Sequence, residues 1–101
     1  MEKSSIAKHL AREHRAALAE AIGSELRRLR RRRGLTQGEL GKPFTRAFVS
    51  AVELGYTIPS VPALLTLTER LGIGLDDFFW GVNQRWTTVY TASHEDRNNP
   101  P

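Results

Sequence analysis

Apolar residues recur at steps of three and four from Ile6 through Leu10, Ala17, Leu18, Ala21, Ile22 and Leu26 to Leu29. That spacing lays one buried stripe along a helix, so residues 4–33 are predicted as one long helix or two abutting ones. Ser4 or Ser5 supplies an N-terminal cap. Gly23 weakens the middle by about 1 kcal/mol relative to alanine and marks the natural place for a break. Ile22–Arg33 is then a core helix, ended by Gly34 in the left-handed conformation, with arginines in its last turn complementing the dipole.

Thr36-Gln37-Gly38-Glu39 has the form of a capping box, in which hydroxyl and carboxylate each satisfy the other residue's backbone N–H. It opens a very short helix through Leu40, stopped by Gly41-Lys42-Pro43 because the residue before proline is disfavoured in helical geometry. Thr45 caps the next helix, Arg46–Leu54, closed by Gly55. Its Val49 and Val52 point to one side, and Arg46, Ala47, Ser50 and Leu54 point elsewhere. After a connector, Tyr56–Pro59, Ser60 caps a helix that tolerates Pro62 in its first turn. Val61, Leu64, Leu65, Thr68 and Leu71 form its expected buried stripe, and Gly72 ends it. A last short helix, Leu75–Trp80, carries Asp76 and Asp77 in the dipole-favoured first turn. Beyond Gly81, Trp86–Thr91 is rich in β-branched and aromatic residues and is expected to be extended. The polar tail Ser93–Pro101 is expected to be disordered.

Composition narrows the class. A chain of 101 residues fits one domain with a modest core. The absence of cysteine removes disulfides and thiolate metal sites and fits a reducing cytoplasm. No apolar run approaches the ~18 residues of a membrane span, and the basic start lacks the apolar stretch of a signal peptide. The net charge of +4 is unevenly placed: residues 1–55 hold twelve Lys/Arg against six Asp/Glu, and residues 56–101 hold three against five. One basic half and one mildly acidic half is the asymmetry expected when one face meets a polyanion.

Two short capped helices, a tight turn and an exposed polar edge on the second helix describe a DNA-binding helix-turn-helix. In detail the chain resembles the Cro/CI-type (XRE) regulator family. The resemblance rests on Ile22-Gly23-Ser24-Glu25-Leu26-Arg27-Arg28-Leu29-Arg30, Gly34-Leu35-Thr36-Gln37-Gly38-Glu39-Leu40 and Phe48-Val49-Ser50-Ala51-Val52-Glu53-Leu54-Gly55. Pro59-Ser60, Leu64-Leu65 and Leu71-Gly72-Ile73-Gly74-Leu75-Asp76-Asp77-Phe78-Phe79 continue it. It implies an all-α, five-helix lambda-repressor-like DNA-binding domain over 22–80. A helical extension over 1–21 and a short extended or disordered segment over 81–101 flank that domain.

The resemblance further implies that Thr45–Leu54 is the recognition helix, with Thr45 among its DNA-facing residues. Gln37 matches a glutamine that touches a phosphate, a role suited to an amide at a helix start. Arg46 matches the first base-reading position, where an arginine can bind guanine N7 and O6 together, worth about 1–3 kcal/mol of discrimination. Ala47 and Ser50 match the other base-facing positions, and the Tyr56 hydroxyl can donate to a phosphate. Arg30 and Glu53 match a structural pair that joins the first helix to the end of the recognition helix. The arginines at 27, 28, 30, 31, 32 and 33 spread around the helix, so some neutralise phosphates and the rest form a solvated face. The chain departs from the family between Gly41 and Thr45, which is about two residues short. This implies a truncated second helix with Phe44 filling a core slot.

No catalytic constellation, metal signature or phosphate loop is present, so the expected protein is neither an enzyme nor cofactor-dependent. The expected partner is double-stranded DNA, bound by a cytoplasmic, nucleoid-associated homodimeric repressor at half-sites about 34 Å apart. Phe78, Phe79, Trp80, Trp86 and Tyr90 suit the dimer interface, with residues 4–22 the competing geometry. The rival reading is an antitoxin or adaptor that binds a protein partner through either extension.

Overall fold

A computed structural model describes the backbone of residues 2–98 and the side chains of residues 8, 9 and 11–86. Five helices follow in order: α1 (Glu2–Arg32), α2 (Gln37–Gly41), α3 (Arg46–Glu53), α4 (Val61–Leu71) and α5 (Leu75–Asn98). Among the described residues no helix is long and apolar enough to cross a membrane. The hydrophobic core gathers Ile22 and Leu26 of α1, Leu40 of α2, Val49 and Val52 of α3, Leu64, Leu67 and Leu71 of α4, and Phe78 and Val82 of α5. All five helices therefore bury one stripe in the same place.

Gly23 does not break α1, which runs unbroken for 31 residues and passes straight through position 22. The glycine answers to packing instead. A Cβ there would collide with the Val52 carbonyl oxygen and lie 2.7 Å from that of Glu53, so the missing side chain lets the end of α3 rest on α1. Two positions further along the chain the contact moves back along α1. Gly55, with φ of 77°, sits over Ala19 and Glu20, its Cβ position 3.4 Å from the Glu20 Cα.

Two expectations are corrected. Residues 86–91 are helical rather than extended, because α5 continues to Asn98. Val82 is buried and Trp86 packs edge-on against His14, ring centroids 6.3 Å apart, so docking on α1 overrides a local preference for extended chain. Residues 93–98 of the expected disordered tail also lie within this helix, and 99–101 lie outside the described residues. Since Gly81 and Arg85 meet Glu25 while Trp86 meets His14, α5 runs antiparallel to α1. The second correction concerns α4. Its buried stripe is Ala63, Leu64, Leu67, Thr68 and Leu71, whereas Val61 and Leu65 are 61% and 47% exposed. Leu64, Thr68 and Leu71 are buried as expected, and Ala63 and Leu67 take the places of Val61 and Leu65.

Candidate nucleic-acid interface

The interface is built on α2 and α3, and both start on side-chain caps. The Glu39 N–H donates to Thr36 Oγ1 at 3.1 Å and the Thr36 N–H to Glu39 Oε1 at 2.9 Å, a complete capping box. The Thr36 backbone N–H, followed by its side chain, holds the Glu39 carboxyl below its ordinary pKa. In α3 the Phe48 N–H donates to Thr45 Oγ1 at 3.1 Å. Helix α2 is only five residues long. Gly41 at its end lets Val49 approach, since a Cβ there would stand 2.6 Å from Val49 Cγ2. The Lys42–Pro43 peptide is cis. The Lys42 carbonyl accepts from Arg70 Nη2 at 2.8 Å, tying the turn to α4. Phe44, half-buried against the core, stacks at a tilt on Phe48 with centroids 5.0 Å apart.

With Val49 and Val52 buried, α3 turns Arg46, Ala47 and Leu54 to solvent and leaves Ser50 half-exposed. Its far end is held by a carboxylate. Glu53 is 8% exposed and accepts from Arg30 Nε at 2.6 Å, Arg30 Nη2 at 3.0 Å and Gln37 Nε2 at 3.1 Å. Arg30 also donates Nη1 to the Leu35 carbonyl at 2.8 Å. A fork-to-fork arginine–carboxylate pair fixes orientation as well as distance. This network joins α1, the start of α2 and the end of α3, and thereby sets the angle between the two helices.

The sequence-predicted residues fall in two groups. Gln37 and Arg46, with Arg30, Thr36 and Gly38, line one open cleft of ≈ 570 Å³ between the starts of α2 and α3. Ala47 and Ser50 follow on α3 outside that lining, and Tyr56, 79% exposed, stands beyond the far end of that helix. The exposed Arg46 guanidinium in this concave opening suits an anion, while the charge of Arg30 is met by Glu53. Part of the Gln37 amide is already engaged by Glu53, an arrangement the sequence did not reveal.

The arginine run divides more sharply than its pattern predicts. Arg30 holds Glu53, Arg33 donates Nη1 to the Leu71 carbonyl at 2.9 Å, and Arg28 pairs with Glu25 through Nε at 2.9 Å and Nη2 at 2.8 Å. Arg27, Arg31 and Arg32 are exposed. Half of the run therefore fastens the fold. Glu25 has a role that is not legible in the sequence. It is 3% exposed and takes a third bond from Arg85 Nε at 3.1 Å, which pins α5 to α1. The visible signal was only the Glu25/Arg28 spacing within one helix.

The helix-turn-helix domain family matches residues 21–78, more than half of the chain and the whole of this interface. The chain belongs to that helix-turn-helix family. Among the relatives of this helix-turn-helix protein is an uncharacterized HTH-type transcriptional regulator, y4dJ, of Sinorhizobium fredii (strain NBRC 101917 / NGR234). The two are 36% identical over 58 residues, spanning 55% of this chain and 75% of the relative. Among solved structures, the clp gene regulator ClgR from Corynebacterium glutamicum superposes with a TM-score of 0.71 and 24% identity. That match covers 79% of this chain and 87% of the other, and it shows a shared fold.

Proposed function

We propose that this helix-turn-helix protein is a sequence-specific transcriptional regulator of the Cro/CI (XRE) type that reads DNA with α3 in the major groove. DNA binding and transcription regulation are what its family and relatives support. The observation that carries the finer reading is the seating of α3. The Arg30–Glu53–Gln37 network seats the end of α3, and exposed Arg46 at its start lines the cleft that opens at the start of α2.

In this reading Arg46 contacts a guanine edge, Ser50 and the Ala47 methyl add looser base contacts, and Gln37, Thr45 and Tyr56 take phosphates. Base-reading groups are few, so backbone contacts and DNA shape carry much of the affinity. Repression follows from occupying an operator of two half-sites as a homodimer. Trp80, 68% exposed on α5, supports dimerisation through that helix. Selection of bound sequences from a random duplex pool tests the reading. It predicts a two-fold symmetric motif with half-sites about one helical turn apart. Recovery of sequences with no shared motif contradicts it.

A further inference from the structure

One face of α1 can be followed almost end to end. Lys8, Arg12, Arg15, Ala19, Gly23, Leu26 and Arg30 succeed one another at steps of four and three, the spacing that keeps residues on one side of a helix. The C-terminal part of this face is occupied: Arg30 holds Glu53, Leu26 is in the core, and Gly23 receives the end of α3. At Ala19 and Glu20 the face receives Gly55, so the chain leaving α3 moves toward the N-terminus of α1 as it approaches Tyr56.

Beyond that point the same face changes character. Lys8, Arg12 and Arg15 are all exposed, and none has an ion-pair partner among the described residues. Among the described residues the nearby carboxylates make no ion pair with them. Glu13 faces His9 at 3.1 Å, and Glu20 is exposed at the edge where Gly55 lands. At about 1.5 Å per residue, Arg15, Arg12 and Lys8 lie roughly 6, 10 and 16 Å along the axis from Ala19. The three cations thus span roughly 10 Å of the helix axis, a length comparable to the ~12 Å width of a major groove. The described residues between them on this face offer no large apolar group, so recognition here is by charge.

We infer that the N-terminal half of α1 is a second DNA contact, in which Lys8, Arg12 and Arg15 take backbone phosphates flanking the site read by α3. The inference rests on the proposed docking of α3 and extends the footprint beyond the helix-turn-helix core. Each phosphate neutralised releases counterions and steepens the salt dependence of binding without adding sequence information.

The test compares the full-length protein with its Lys8→Gln/Arg12→Gln/Arg15→Gln variant by fluorescence anisotropy, on a selected duplex and on a random duplex of equal length. Losing three contacts flattens the slope of log K against log salt by about 2–3, so the wild-type advantage shrinks roughly forty-fold between about 50 and 200 mM salt. The ratio of selected to random affinity stays the same. An Arg12→Lys/Arg15→Lys variant keeps the wild-type slope, which separates charge from any change in helix content. Equal slopes for wild type and the triple variant, with binding intact, overturn this inference alone. Absence of wild-type binding to either duplex at the lowest salt overturns it together with the reading of α3.

Discussion

Two buried carboxylates on opposite sides of α1 are built alike and serve different ends. Glu53, at the end of α3, takes three side-chain bonds from Arg30 and Gln37. Glu25, on α1 itself, takes three from Arg28 and Arg85. Each cluster also depends on a glycine. Gly23 lets the α3 backbone close on α1, and Gly81 leaves space for Glu25, whose Cδ would stand 2.7 Å from a Cβ at that position. The Arg30 side chain is 11% exposed against 44% for Arg28 and 37% for Arg85, so the first cluster is the drier. The difference teaches a division of labour: the drier cluster seats α3, the proposed reading helix, and the wetter one holds α5 against α1.

Breaking the drier cluster has the largest effect. Glu53→Ala leaves the Arg30 guanidinium buried without its carboxylate and is expected to cost about 3–5 kcal/mol, measured by urea unfolding. If the division of labour is right, a still-folded fraction of this variant also loses operator discrimination. Next comes the glycine beneath it. Gly23→Ala forces the α3 backbone away from α1, an overpacking cost of about 1–3 kcal/mol on the same unfolding measurement.

The Glu25 cluster is expected to respond less, and elsewhere. Glu25→Gln removes the charge that two arginines share, at a cost of about 1–3 kcal/mol, while operator discrimination stays at the wild-type ratio. Acidity sharpens the contrast. The Arg28 hydrogen bond, ahead of that from Arg85, holds the Glu25 carboxyl below its ordinary pKa despite burial. A depressed folded value contributes stability that is full above the unfolded pKa of about 4.3 and is lost as pH falls through the folded value. Unfolding followed from pH 5 downward should therefore show a smaller acid loss in Glu25→Gln than in wild type. Arg85→Ala, removing a half-exposed partner, is the smallest, at about 1 kcal/mol or less. Its near-absence of effect on DNA discrimination would separate the seating of α5 from that of α3.

The two clusters also differ in how far the sequence revealed them. Arg30 and Glu53 are legible as a pair from their places in a family pattern, and the geometry adds Gln37. The caps at Thr36, Thr45 and Ser60 were legible from local chemistry alone, because each is a hydroxyl three residues ahead of the N–H it accepts from. Glu25 and Arg85 are 60 residues apart, and no local rule joins them. Arg85 also precedes a stretch whose threonines, valine and aromatics favour extended chain. Its helical state comes from packing against α1, a contact that periodicity in either helix alone does not show. For the same reason Gly23 reads as a weak point in the sequence and is a point of close approach in the fold.

The central claim is that α3 reads base edges through Arg46, and the most direct measurement is the affinity of Arg46→Ala for a selected operator and for random duplex at one salt concentration. The predicted result is a loss of about 1–3 kcal/mol on the operator alone, which lowers the ratio of the two affinities. An equal loss on both duplexes would contradict the claim and leave Arg46 as a phosphate contact.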